Sequence, residues 1–472
     1  MTMPGHTLAG TVVPSSRTVW RDELVDTIKL ALPIALTQLG QVAMMTSDLA
    51  LLGRLGDQVV AASALAHTIL FAAFVIGMGI VSAVSPLASQ AFGARDPRMV
   101  RRALRVGLWA ATLLGLPLSF TQFYGEEMLL ALGQTPEAAR LAAGYLHGLA
   151  WSLVPAWWFI ALRGFMQSVN RPEPGLWITL AAIPANTALG YALIYGEFGL
   201  PRLEMFGAGL ATTIVDTGMC VACVWVCYAC RPFRKYRVLG RFWVMDWRLL
   251  ARLVVIGAPI SGTMLLEFGV FAAAALLMGW LGTTELAAHQ IAVTTASLLF
   301  MVPFGVSMAA TVRVGHAAGR RDAVGTRTAG IAAIMLAAAF MAGMTVAVIA
   351  ARDTIPLLFL GLGTDAADPT RHLAALLLVV GCTFFIADGV QTVAAGALRG
   401  LNDTRMPLLF SAVCFWAIGF TACCLMGFTM NLGAPGIWIG LSVGLATYAA
   451  LLVWRFLALT GRGYLPDIAT AS

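Results

Sequence analysis

The sequence predicts an all-α integral membrane protein with about twelve transmembrane helices arranged as two related six-helix halves. Composition, recurring apolar runs and an internal repeat support this prediction. Of the 472 residues, 59% are hydrophobic and only 11% are charged, whereas a soluble globular protein has roughly 25% charged residues. So few charges cannot cover a water-exposed surface, so lipid must be the main solvent of this chain.

Apolar runs of roughly the length needed to cross a bilayer recur along the whole chain. The first six runs lie near 28–52, 59–85, 103–123, 142–165, 175–195 and 207–229. The second six lie near 249–279, 286–310, 329–350, 372–398, 407–429 and 435–457. The resulting organisation is a cytoplasmic tail (1–27), two halves (28–229 and 249–457), a basic cytoplasmic connector (230–248) and a second tail (458–472).

The two sets of helices are copies of one another. An offset of 226 residues, as between Pro33 and Pro259, also aligns Leu55-Gly56 with Leu281-Gly282 and Asp96 with Asp322. Later the tetrapeptide Ala-Leu-Arg-Gly at 161–164 recurs at 397–400. Because each repeat has an even number of helices, the halves insert with the same orientation and can rock about a cleft.

The positions of the basic residues predict the orientation, because positively charged loops are retained in the cytoplasm. With the N-terminus inside, clusters that include Arg98, Arg234 and Arg320 are cytoplasmic, whereas the acidic pair Glu126 and Glu127 is outside. Only five of the 30 Lys and Arg residues fall outside, namely Arg54, Arg140, Arg202, Arg352 and Arg371. We therefore expect a multi-pass protein of the cell inner membrane with both termini in the cytoplasm.

The same distribution excludes two other interpretations. The net charge of +7 lies in short loops between apolar runs and not in one groove-facing patch, so no nucleic-acid partner is expected. Cys220, Cys223, Cys227 and Cys230 have spacings that would suggest zinc in a soluble loop. They fall along an apolar helix, so we interpret them as structural and expect no metal site and no cofactor.

Acidic residues within the apolar runs are the strongest functional candidates, because a charge in hydrocarbon costs at least about 2.5 kcal/mol. Glu267 and Asp388 lie at neighbouring depths in the seventh and tenth runs, which predicts one site formed by the two acids together. Asp48 lies nearer the outer end of the first run, where Asn186 would orient it if those helices meet. The 226-residue offset gives Glu267 the partner Gln41, so the acids are not inherited symmetrically.

Other polar and aromatic residues have weaker claims. Asp216 in the sixth run is interpreted as a structural buried acid. His67, His147 and His289 are interpreted as packed or helix-end residues and not as proton relays. Trp151, Trp157, Trp158 and Phe159 form an aromatic stretch that either lines a pocket for flat cations or packs against neighbouring helices.

Several motifs in the second half resemble one known family. They are Gly257-Ala258-Pro259, Ala287-Ala288-His289-Gln290, Arg313-Val314-Gly315-His316, Asp388-Gly389-Val390-Gln391 and Asn402-Asp403-Thr404-Arg405. With these motifs, the chain resembles a multidrug and toxic compound extrusion (MATE) transporter of the NorM-like branch across all twelve helices. The resemblance implies a V-shaped cleft, open inward or outward, between the halves. It also implies a cation site at Glu267 and Asp388 and a second site, for proton or substrate coupling, at Asp48 and Asn186.

The function expected from this resemblance is a cation-coupled antiporter that exports amphipathic, often cationic drugs and toxic compounds from the cytoplasm. The coupling ion is sodium or a proton, and the residues do not decide between them. We expect a functional monomer whose partners are small molecules and membrane lipids. The alternative is an exporter or flippase of a physiological metabolite or lipid-linked substrate. An enzyme is not expected, because no nucleophile with its base is found at one membrane depth.

Overall fold

The computed structural model describes residues 16–197, 199, 201–238, 240, 242–361 and 368–466. Residues 1–15 and 467–472 of the two expected tails lie outside the described residues. In the first half, helices α1 to α6 span Ser16–Gly53, Asp57–Ser82 with its continuation Val84–Gly93, Pro97–Thr121, Pro136–Leu149 with Leu153–Ser168, Glu173–Tyr195 and Glu204–Ala229. In the second half, α7 to α12 span Trp247–Leu281, Thr283–Gly319, Ala323–Ala350, Pro369–Val380 with Cys382–Gly400, Arg405–Thr429 and Gly433–Gly461.

The described residues confirm the all-α membrane architecture. Ten helices are long and apolar enough to cross a bilayer, and two bent pairs raise the number to twelve. The bent pairs are the two segments of α4, which meet at 49°, and those of α10, which meet at 50°. Both were predicted as single continuous runs, because the residues on either side of each bend are equally apolar. The bends occupy the same place, the fourth helix, in each half.

The first helix begins earlier than position 28, where its apolar run starts. It extends back to Ser16 through a charged segment. Arg313 of α8 forms a bidentate ion pair with Glu23, with Nε to Oε1 at 2.9 Å and Nη2 to Oε2 at 2.6 Å, and Asp26 lies 3.3 Å from Nη2. This partner in the other half stabilises a helical extension that hydropathy does not detect.

The internal repeat has a physical basis in its local structure. Pro33 and Pro259 lie inside α1 and α7, and each carbonyl accepts a hydrogen bond from the threonine four residues later, Thr37 at 2.7 Å and Thr263 at 2.9 Å. A proline leaves its helix without one backbone donor, and a threonine that bonds back to the preceding turn favours a bend. The same pair of residues therefore shapes the first helix of both halves.

The halves are fastened near one end of the bundle, which we call the basic end because α1 starts there and the arginine-rich loops after α2 and α8 lie there. The described hydrogen bonds between helices of the two halves lie in this part of the bundle or near its middle: Glu23 to Arg313, Gln90 to Gly400 and Asn402, Ser168 to His316, and Ile76 to Ser261. Nearer the middle, the rings of Phe71 and Phe268 lie 4.8 Å apart. The described contacts therefore hold the basic end closed.

Glycines allow this close approach. A Cβ atom on Gly257 of α7 would lie 2.5 Å from the Ile80 Cα of α2, and one on Gly305 of α8 would lie 2.7 Å from the Ala35 Cα of α1. Such contacts leave no room for any side chain at the two positions. Small residues at helix interfaces let backbones pack directly in a membrane, where no hydrophobic driving force brings helices together.

The connector between the halves is anchored on α3. Asp246 accepts hydrogen bonds from Arg102 Nε at 3.0 Å and from the Leu249 backbone at 3.1 Å, which caps α7. Burial pushes the pKa of Asp246 up, but these two donors and the charges of Arg102 and Arg105 hold the pKa below its usual range. The carboxylate is therefore ionised at neutral pH and joins the halves through the start of α7.

Candidate functional site

The second half contains a cluster of two carboxylates and one amide. Gln391 of α10 donates from Nε2 to Glu267 Oε1 of α7 at 2.9 Å and to Asp388 Oδ1 at 3.2 Å. A third acceptor, the hydroxyl of Thr392, lies 3.0 Å from the same nitrogen. Because an amide nitrogen carries two hydrogens, one of them is shared between acceptors. The predicted pair of acids is thus brought together, with Gln391 as the bridge between them.

The α10 backbone explains this arrangement. Asp388 and Gln391 are three residues apart, so they share one helical face, and both follow the bend in α10. Asp388 is only 6% exposed and Gln391 only 3%, whereas Glu267 is partly exposed. Asp388 is thus the deeper acid and Glu267 the more accessible one.

A buried cation accompanies this cluster. Arg399, on the last turn of α10, is partly buried and lies within electrostatic range of Glu267. With both acids ionised, Glu267, Asp388 and Arg399 have a formal charge of −1. A net charge in a membrane interior costs free energy unless an opposite charge balances it.

The first half contains a separate polar site around Asp48. Asn186 of α5 donates from Nδ2 to Asp48 Oδ1 at 2.6 Å, so the two helices meet where the sequence analysis required them to. Thr212 of α6 lies 3.3 Å from Asp48 Oδ2 and 3.2 Å from the Ala208 carbonyl, so its single hydroxyl hydrogen serves either acceptor. Asn186 is completely buried, and its Oδ1 has no hydrogen-bond partner.

Asp216, which the sequence analysis interpreted as a structural acid, lies near this site. It is on α6, one helical turn beyond Thr212, and its charge is within electrostatic range of Asp48. Residues four apart share one face of a helix. Asp216 is therefore a second acidic group beside the Asp48 site.

Sequence reasoning missed the two buried arginines, although it found the repeated tetrapeptide that contains them. Arg163, the counterpart of Arg399, donates from Nη1 to Gln38 Oε1 at 2.7 Å and to Gln41 Oε1 at 3.3 Å. It also lies over the ring of Phe159, 5.6 Å from its centroid. An arginine that recurs at one register of both halves, inside the membrane, was the available signal.

The weaker candidates are mostly packed. Trp157 is completely buried against Gly77, where a Cβ atom would overlap its ring, and Phe159 is 1% exposed. Trp158 donates to Thr112 at 2.9 Å, and buried His289 accepts from Trp438 at 3.2 Å. His67 stacks on Phe71, His147 contacts the Phe123 carbonyl, and Trp151 is exposed.

The cysteines of α6 are also part of the packing. Cys220, Cys223 and Cys227 are buried, and Cys230 at the helix end is partly buried. Across the described ranges, no three His, Cys, Asp or Glu side chains gather in a way that could hold a metal ion.

Comparison with known proteins gives one consistent family. The MatE family model matches residues 33–192 and 259–425, two segments whose starts have the same 226-residue offset as the internal repeat. The chain is 61% identical over 461 residues to the "Probable multidrug resistance protein NorM" of Rhodopseudomonas palustris, covering 98% of this chain and 97% of the relative. It is 55% identical to the protein of the same name from Bradyrhizobium diazoefficiens, covering 93% and 94%.

Solved structures agree on the fold. The chain matches the eukaryotic MATE transporter AtDTX14 with a TM-score of 0.81 at 20% identity, covering 94% of this chain and 99% of the other. It matches a MATE protein in the straight conformation with a TM-score of 0.85 at 17% identity, covering 95% and 99%. The predicted fold class is therefore confirmed independently of close sequence similarity.

Proposed function

Because this chain belongs to the MatE family of transporters, we propose that it exports amphipathic, often cationic drugs and toxic compounds in exchange for a cation. The coupling ion is sodium or a proton, and it enters from outside as the substrate leaves. The name shared by the curated relatives, multidrug resistance protein, supports the substrate class.

One observation carries the coupling part of the proposal: Glu267 and Asp388 share the amide of Gln391 inside the membrane. In this state the Gln391 N–H groups balance part of the charge of the two acids. A proton or sodium ion that binds there weakens their hold on the amide and neutralises the cluster. Carboxylate oxygens are ligands that suit a hard cation and are equally proton acceptors.

The first half supplies the drug-responsive site in this proposal. Asp48 is held by Asn186 and Thr212, and the unpartnered Oδ1 of Asn186 provides a further acceptor for a donor group on a ligand. A positively charged substrate and a coupling cation bind at separate acids of one protein, so each disfavours binding of the other through the conformation that it stabilises. Both sites belong to one chain, which is consistent with a functional monomer.

The contacts between the halves suggest the direction of opening. We assign the described conformation to an outward-open state, with the closed basic end in the cytoplasm, because arginine-rich loops are retained there. This orientation also supports a location in the inner membrane with both termini inside. A cysteine placed beside Arg98 should then be protected from an impermeant thiol reagent added to intact cells, whereas one beside Glu127 should react. The reverse pattern would overturn the orientation.

Transport by purified protein tests the function directly. Proteoliposomes loaded with a fluorescent cation should release it when a sodium or proton gradient is imposed, and applying the two gradients separately identifies the ion. Release that needs neither gradient would contradict coupling. Export of a lipid-linked anion, but of no cationic dye, would favour the flippase alternative.

A further inference from the structure

A large cavity lies away from both polar sites, where the end of α6 meets the connector. Its volume is about 1110 Å³. One wall is the last two turns of α6, including Cys227 and Tyr228, and the other is the connector from Arg231 to Gly240. The cavity therefore has a wall of membrane helix and a wall of polar loop.

The lining of this cavity is strongly basic. It contains the exposed side chains Arg231, Arg234, Lys235 and Arg237 and no acidic residue. Among the described residues, none of these four forms an ion pair within 4.0 Å, although Lys235 lies over the ring of its neighbour Tyr236. Arginines elsewhere at this end, such as Arg102 and Arg313, do have acidic partners. The cavity thus gathers positive charge that no acidic side chain of the described ranges pairs with.

Aromatic side chains indicate the depth of the cavity in the bilayer. Trp225 and Tyr228 on α6 are 64% and 77% exposed, and Trp243 and Trp247 around the end of the connector are 84% and 67% exposed. Exposed tryptophan and tyrosine mark the membrane interface, where lipid headgroups lie. The four cations are therefore at headgroup level, beside a helix surface that contacts acyl chains.

We propose that this cavity is a binding site for the headgroup of an anionic phospholipid, with Arg231, Arg234, Lys235 and Arg237 on the phosphate and the acyl chains along α6. Basic clusters next to a membrane helix bind anionic lipid by charge attraction. The arginine fork also matches the oxygens of a phosphate group. The bound lipid would fasten the connector that joins the two halves to the inner leaflet.

The test uses full-length purified protein titrated with phosphatidylglycerol, with phosphatidylcholine as the neutral lipid and inorganic phosphate as the soluble anion. Phosphatidylglycerol should bind preferentially. A variant with glutamine at all four basic positions should lose at least about tenfold in affinity, since each cation near an anionic surface contributes roughly fivefold. The matched control replaces four exposed cations of the same end that do not line the cavity, Arg98, Arg321, Arg327 and Arg405, and should lose clearly less affinity than the cavity variant, because these side chains do not line the cavity that holds the headgroup.

A charge-conserving variant distinguishes loss of binding charge from misfolding of the connector. Arg231→Lys, Arg234→Lys and Arg237→Lys together lose the fork geometry but should keep most of the lipid preference, because the attraction between the cations and the anionic headgroup remains. Equal loss in the control and cavity variants would overturn the proposal, as would no preference for phosphatidylglycerol over phosphatidylcholine. Inorganic phosphate that competes fully at millimolar concentration would show a soluble-anion site instead and would also overturn it.

Discussion

The two halves place an arginine at the same register but give it different partners. In the first half, Arg163 of α4 donates to the neutral amides of Gln38 and Gln41. In the second half, its counterpart Arg399 lies within range of the acid Glu267. Gln41 and Glu267 are themselves related by the 226-residue offset. Both halves thus have an arginine near this position, but its neighbour is a neutral glutamine in the first half and an acid in the second.

This difference explains how a duplicated protein can divide its work. The amides around Arg163 accept hydrogen bonds from its Nη1 without adding a negative charge, so no excess negative charge attracts a mobile cation to that position. Around Arg399, the acids Glu267 and Asp388 exceed the fixed positive charge by one. The first half instead has its acids, Asp48 and Asp216, on α1 and α6. The acidic side chains of the two halves therefore lie on different helices: α7 and α10 in the second half, and α1 and α6 in the first.

The largest effect should come from removing the acids of the second half. Asp388→Asn and Glu267→Gln should each reduce cation-driven efflux by at least about a hundredfold, because a charge that contributes a few kcal/mol to cation binding is lost. Amides of the same size should leave the protein folded and inserted. Drug efflux from proteoliposomes measures the effect, with Glu197→Gln and Asp353→Asn, both exposed, as controls. Normal coupled export by both site variants would exclude the Glu267 and Asp388 site.

The paired arginines provide a sharper comparison. Arg399→Gln leaves two acids without their fixed counter-charge, so cation affinity should rise by at least about fivefold, given about 1 to 3 kcal/mol for charges several ångströms apart at an intermediate dielectric constant. Export should slow, because release of the cation becomes harder. Arg163→Gln should leave cation affinity unchanged. Calorimetry with sodium, or proton uptake at fixed pH, measures the cation affinity of each variant. Equal changes in affinity in the Arg399→Gln and Arg163→Gln variants would mean that the two arginines do not differ in their effect on cation binding.

Substitution of Asp48 tests whether substrate export and cation binding can be impaired separately. Asp48→Asn should reduce substrate export several-fold while cation binding by the second half stays within about twofold of normal, because charges separated by water interact weakly. The same variant of Asp216 should have a smaller effect, since Asp216 does not share the Asn186 hydrogen bond. If Asp48→Asn abolishes cation binding as fully as Asp388→Asn does, all these acids serve one site.

The sequence predicted the features that depend on charge or periodicity. It predicted twelve spans and the acids Glu267, Asp388 and Asp48, because length, hydropathy and buried charge can be counted along a chain. It did not predict that Gln391 bridges Glu267 and Asp388, because the partners of an amide depend on which helix packs against the one that carries it. The bends of α4 and α10 were missed for a related reason. Hydropathy indicates whether a segment lies in lipid or in water, but not whether the helix changes direction within the membrane.

The start of α7 differs from the start of α1, because Asp246 caps α7 and also pairs with Arg102 of the first half. Asp246→Asn keeps a capping side chain but loses the ion pair, so it should cost about 1 kcal/mol near the solvent. The folded protein holds the pKa of Asp246 below the unfolded value of 3.8, so the stabilisation is present above that pH. It is lost as the pH falls through the folded pKa. The gap in thermal stability between the two proteins should therefore close in acid, and a gap that widens in acid would contradict the ion pair.

The smallest effects should separate the two repeated caps, Asp96 of α3 and Asp322 of α9. The Asp96 carboxylate accepts from the Arg98 and Met99 backbones, both at 3.0 Å, whereas Asp322 accepts from Gly325 alone at 2.8 Å. Replacing a cap by alanine costs about 0.5 to 2 kcal/mol, and losing two acceptor contacts should cost more than losing one. Asp96→Ala should therefore lower the unfolding temperature in detergent more than Asp322→Ala, while asparagine at either position should be nearly neutral. The opposite ranking would contradict the expectation that the number of backbone contacts decides how much each cap stabilises its helix.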